Sequence, residues 1–195
     1  GRLGAENHAL LACAVTLVIV LAAIPNLVAE PVHHDETGAK PKYAWPKAPI
    51  FYILGLMALF SMVPEGAVLD WAALYLSKQM DATIAVSGLA FAFFAGSMAV
   101  MRFAGDALRD RFGAVRTLRI SAFTAAAGLF GASVAPNEWI AIACFALAGL
   151  GIANSVPIAF SAAGNQPGMV AGAGLAVVNL MGYSGILLAP SVIGF

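Results

Sequence analysis

Glu65 is the residue with the most to explain. It stands in Pro64-Glu65-Gly66, inside an apolar run from Ile50 to Leu76. Hydrocarbon offers a carboxylate no partner, so an acid at that depth costs several kcal/mol unless it faces water or a counter-group. Three roles are open to it: exchanging a proton with a water-filled cavity, touching a polar solute, or satisfying backbone freed by Pro64. The third arises because Pro64 has no amide to give the Phe60 carbonyl; Ser61, one turn from Glu65, is then its hydrogen-bonding partner. A second polar group follows Gly149-Leu150-Gly151 in another apolar run: Asn154, Ser155 and then Pro157. Their amide and hydroxyl suit a polar solute and equally suit a bridge between helices, worth about 0.6 kcal/mol on average. Asn179 and Tyr183 fall one helical turn apart and so share a face, where packing competes with solute contact. Asp70, next to Trp71, reads as an interfacial acid.

The densest charge lies in Arg102–Arg119. Of the chain's ten basic residues it holds Arg102, Arg109, Arg111, Arg116 and Arg119, and of its ten acids Asp106 and Asp110. Long apolar runs flank it, so it reads as a loop at a membrane surface. Asp110 and Arg111 are adjacent and cannot pair along one helix face. Arg102 with Asp106, and Asp106 with Asp110, stand four apart and can share one.

Composition sets the frame for these residues. The chain has 195 residues, 61% of them apolar and 10% charged, and a mean hydropathy of +0.88. Soluble domains carry about 25% charged residues, so this is an all-α integral membrane protein. Zero net charge argues against nucleic acid as a partner. Cys13 and Cys144 stand singly in apolar runs and read as packing residues without a disulfide or metal pattern. His33, His34, Asp35 and Glu36 adjoin without ligand spacing and read as solvated linker. No glycine-rich stretch ends in Lys-Ser/Thr, and no metalloprotease or serine-hydrolase motif occurs, so neither cofactor nor enzyme chemistry is expected.

Six spans are predicted: His8–Ala29, Ile50–Leu76, Ala82–Ala104, Thr117–Ala135, Trp139–Ala162 and Gly168–Pro190. Such spans must be helices, since backbone groups find no other partner in lipid. A polar linker, residues 30–49, separates the first from the rest. Counting basic residues by side gives eight (Lys40, Lys42, Lys47 and the five arginines) against two, Arg2 and Lys78. The positive-inside rule then puts the linker and the arginine stretch in the cytoplasm and starts the first span outside. Trp45, Tyr52, Trp71, Tyr75 and Trp139 mark the interfaces. The chain starts Gly1-Arg2-Leu3 without a signal peptide and reads as part of a longer protein.

The core of the arginine stretch, Asp106-x-Leu108-x-Asp110-Arg111-Phe112-Gly113, resembles the signature loop of the major facilitator superfamily of secondary transporters. Here Asp106 stands where the family's opening glycine would be, with Gly105 one place early. Ala114-Val115 replaces its usual basic pair, and Arg116 follows. This form resembles the weaker copy of the motif, between the eighth and ninth of twelve helices. In that register the resemblance implies that residues 1–29 correspond to helix six and 30–49 to the central linker. Residues 50–195 would be a partial C-terminal bundle of helices seven to eleven, without helix twelve.

That resemblance implies a secondary transporter of a small solute, multi-pass in a bacterial inner membrane, working by alternating access with the N-terminal half of the same protein. Helices seven and ten line its central cavity and are counterparts under an inverted repeat. Paired interruptions in such counterparts point to a binding site, which marks Glu65, Ser61, Asn154 and Ser155, with Asn179 and Tyr183, as candidate solute or proton pathway residues. Gly105, Asp106, Leu108, Asp110, Arg111 and Gly113 form the gating motif, in which Asp110 would hold a neighbouring helix end or arginine. The plain alternative for that motif is a topology signal. The alternative for the whole chain is a non-transporting membrane subunit with facilitator-like loops.

Overall fold

The computed structural model describes residues 5–26, 48–166 and 171–193. Residues 1–42 and 43–195 form two compact units. In the first unit, α1 (Ala5–Ala23) is followed by a 3-10 turn at Ile24–Asn26, where Pro25 ends the α-helical pattern. The expected linker, including His33 to Glu36, lies outside the described residues.

The second unit holds α2 (Pro49–Gln79), α3 (Ile84–Phe112), α4 (Ala114–Ser133), α5 (Glu138–Ile152), α6 (Ser155–Gly164) and α7 (Ala171–Ile193). Helix starts follow local chemistry. Pro49 fills the first turn of α2, where its missing amide costs nothing. Asn137 caps α5 by accepting from the Ile140 amide at 3.0 Å, which satisfies one orphan donor.

Two clusters form the interior. One joins the second half of α2 to α3, α4 and α5 around Leu76, Phe94 and Phe145. The other joins the first half of α2 to α6 and α7 through Phe51, Ala58, Ala159 and Val178. Small residues let the backbones approach. A Cβ on Gly128 of α4 would meet backbone atoms of Cys144 and Ala148, and one on Gly149 of α5 would meet the Phe94 carbonyl. That is how helices associate where lipid removes the hydrophobic drive. On α7, Gly174, Gly182 and Gly185 make the close approach to α2, whereas Gly172 meets nothing.

Four stretches are long and apolar enough to cross a membrane: Pro49–Gln79, Ile84–Phe112, Glu138–Gly164 and Gly172–Val192. This corrects the expected six among the described residues. The apolar part of α1 is the short Leu10–Ala23. In α4, Arg116 and Arg119 stand within the first two turns, and Thr117, Ser121 and Thr124 dilute the apolar run further. At 31 residues, α2 is about 46 Å long, well beyond a hydrocarbon core of about 30 Å.

Candidate functional site

The arginine stretch is not a loop. Helix α3 continues to Phe112, α4 starts at Ala114, and Gly113 is the one residue between them. Gly113 donates to the Arg109 carbonyl at 2.8 Å and accepts from the Thr117 amide at 3.1 Å, closing one helix and opening the next. Its φ of +78° explains why glycine stands there. Thr117 Oγ1 donates to the Leu108 carbonyl at 3.4 Å, tying the start of α4 to the end of α3. The stretch was expected to open out because its charge suggested solvent, yet polar residues on a helix reach solvent while the backbone keeps its own bonds.

The two expected interruptions differ. Helix α2 runs through Pro64-Glu65-Gly66 without a break. Proline removes one amide, and in hydrocarbon the other bonds have nothing better to do than persist. The second interruption is a true break, because α5 ends at Ile152 and α6 starts at Ser155. Pro157 leaves the Ala153 carbonyl without its usual amide, which accounts for the position of the kink. Bonds from Ala153 N to Gly149 O, 3.2 Å, and from Ile158 N to Asn154 O, 3.1 Å, carry the chain across it.

Glu65 meets Arg102. Arg102 Nη2 donates to Glu65 Oε1 at 3.3 Å, joining the middle of α2 to the first residue of the signature stretch. The Glu65 side chain is 12% exposed and that of Arg102 48%. Charge-assisted bonds usually measure about 2.7–2.9 Å and are strongest when bidentate. This single long contact neutralises Glu65 without clamping it.

Ser61 and Pro64 of α2 line an apolar groove of about 540 Å³ with Leu118 and Leu129 of α4 and Ser155 at the start of α6. Ser61 and Ser155 supply its hydroxyls. Glu65 and Asn154 do not line it; each turns elsewhere. Asn154 is 5% exposed, its Nδ2 is buried without a hydrogen-bond partner among the described residues, and its Oδ1 occupies the place that a Cβ on Gly105 would take. Asn179 and Tyr183 stand one turn apart on the exposed side of α7. Leu108 is half-buried, and Asp106, Asp110 and Arg111 are exposed. Arg111 lies 5.6 Å from the Phe112 ring centroid. Among the described residues Asp110 makes no ion pair.

Of the candidate pathway residues, Ser61 and Ser155 line the groove, whereas Glu65, Asn154, Asn179 and Tyr183 do not. In sequence Glu65 has a neighbour in Ser61 on its own helix, and Arg102 shares a face with Asp106; the structure instead joins Glu65 to Arg102. A single basic residue at the edge of an apolar run, opposite a lone mid-span acid, was the signal for the pair. The contact of Gly105 with Asn154 had no sequence signal.

A family model described as Major Facilitator Superfamily matches residues 8–190. The chain belongs to the Major Facilitator Superfamily. It is 34% identical over 182 residues to an uncharacterized MFS-type transporter of Yersinia pestis, covering 92% of this chain and 46% of that protein. It is 37% identical over 142 residues to the membrane protein MosC of Rhizobium meliloti, covering 73% and 35%. An uncharacterized transporter of Sinorhizobium fredii, y4wD, is 34% identical over 143 residues, covering 73% and 38%. The chain thus spans less than half the length of each of these relatives. No solved structure matches it significantly. Family membership and the apolar helices make it a multi-pass membrane protein of a transporter family.

Proposed function

We propose that this chain supplies the C-terminal half of a secondary transporter that moves a small solute by alternating access, with Glu65 exchanging a proton in the cycle. In this reading α1 corresponds to helix six, α2, α3 and α4 to helices seven to nine, α5 and α6 together to helix ten, and α7 to helix eleven. The N-terminal half of the same protein completes the solute cavity, and a bacterial inner membrane is the setting.

The observation that carries the reading is the Glu65–Arg102 pair. A mostly covered carboxylate in an apolar bundle needs a counter-charge, and among the described residues this one has a single, long, half-exposed contact. Protonating Glu65 removes the charge that Arg102 answers and frees α2 from the signature end of α3. Arg102 is half exposed, so its own chain does not enclose it when the contact opens. A purely structural pair would be expected shorter, bidentate and covered on both sides. The exposed acids of the signature end, Asp106 and Asp110, make no ion pair among the described residues and are open to partners beyond this chain, as a gate between two halves requires.

The test is uptake by the full-length protein in proteoliposomes under an imposed pH gradient, screened over small polar solutes. Gradient-driven accumulation of one of them supports the reading. A well-inserted protein that moves none under any gradient favours the membrane-subunit alternative.

A further inference from the structure

Three features of the signature end converge on one side chain that transport by Glu65 does not use. Asn154 sits at the break between α5 and α6. Its Nδ2 is buried without a partner among the described residues, and its Oδ1 fills the space above Gly105 of α3. It also lines a cavity of about 180 Å³ with Met101, Leu108 and Phe112 of α3 and Thr117 and Ser121 of α4. A buried, unpaired amide is a cost, and a fold keeps such a group where another state gives it a partner or where it holds neighbours in place. Leucine would fill the same space without the penalty.

We propose that Asn154 is a positioning residue that keys the signature end of α3 to the α5–α6 break. Gly105 is the slot and the Asn154 carboxamide is the key. Because the amide is unpaired in the present arrangement, a small rotation of α6 about the break brings it toward the hydroxyls of Thr117 and Ser121 in the same cavity. That rotation withdraws Oδ1 from Gly105. The signature turn and the break then move together, so α6, which carries Ser155, reports to the membrane surface. The proposal rests on the transport reading for its purpose, but its geometry is tested without any solute.

The experiment is a double-mutant cycle in the full-length protein with a cysteine at Ala114 in a cysteine-free background. Maleimide labelling of that cysteine reads the signature turn, and thermal unfolding is followed in parallel. Gly105→Ala forces a Cβ onto Oδ1 and should alter the labelling rate. Asn154→Ala should alter it too, and adding Gly105→Ala to Asn154→Ala should change little, a non-additivity of about two-fold or more for residues in contact. Additive effects on labelling would overturn the proposal, as would variants that shift only the unfolding temperature. If Gly105→Ala alone fails to insert, the double variant should insert, and its failure would also count against the proposal. Because the readout needs no transport, a protein found not to transport leaves this result standing.

Discussion

Arg102 Nη2 lies 3.3 Å from Glu65 Oε1, so the acid in the middle of α2 is tied to the residue that opens the signature stretch on α3. The two are 37 positions apart in sequence. Removing Arg102 leaves a carboxylate that is 12% exposed without its counter-charge. Breaking a fully buried pair costs about 3–5 kcal/mol, whereas exposed pairs are worth about 1 kcal/mol or less. With Arg102 half exposed, Arg102→Ala is expected to cost about 1–2 kcal/mol, between those limits. Glu65→Gln/Arg102→Ala should recover part of it. Thermal unfolding of the four proteins of this cycle checks the coupling, and strict additivity would mean that the contact contributes nothing.

Gly113 is the single residue between α3 and α4, at a φ of +78°. Gly113→Ala should strain that turn and cost about 1–3 kcal/mol. The variant's unfolding temperature in detergent is the measurement. An unchanged temperature would show that the turn relaxes to an ordinary conformation.

Asp110 is exposed at the signature end without an ion pair among the described residues. If it latches onto the other half of the transporter, Asp110→Asn should slow transport several-fold while the protein still inserts. Wild-type turnover would reduce the motif to a topology signal. Insertion is checked separately by membrane fractionation.

Much of the fold was legible because hydropathy, proline and glycine act locally. Apolar runs gave the helices, Pro157 marked the α5–α6 break, and the Asp110-Arg111-Phe112-Gly113 run marked the turn. What failed had physical reasons. Charge between Arg102 and Arg119 was read as loop, yet the backbone stays helical on both sides of Gly113. Pro64 was read as an interruption, yet one lost amide does not break a helix that has no other bonding partner. Six spans were expected where the described residues have four, because the apolar part of α1 is only Leu10–Ala23 and because Arg116 and Arg119 fall inside the α4 helix. The Glu65–Arg102 and Gly105–Asn154 contacts are tertiary, and only the first had a sequence signal, a basic residue at the edge of one apolar run and an acid inside another. Ser61 and Ser155, on separate apolar runs, both line one groove.

Orientation has its own test. A cysteine at Ala39, in the linker outside the described residues, and another at Ala114 should both be labelled from the cytoplasmic face of intact membranes. Labelling of either from the opposite face would overturn the eight-to-two reading of basic residues.

The central claim is that Glu65 exchanges a proton, and one substitution addresses it most directly. Glu65→Gln keeps the shape and a hydrogen-bonding oxygen for Arg102 but cannot gain or lose a proton. In proteoliposomes of the full-length protein, accumulation of the transported solute against an imposed pH gradient should be abolished. Gradient-free exchange of that solute should survive. Weakened binding at every pH would instead assign Glu65 to the solute itself. Undiminished proton-driven accumulation in Glu65→Gln would contradict the account, leaving Glu65 as a structural partner of Arg102 alone.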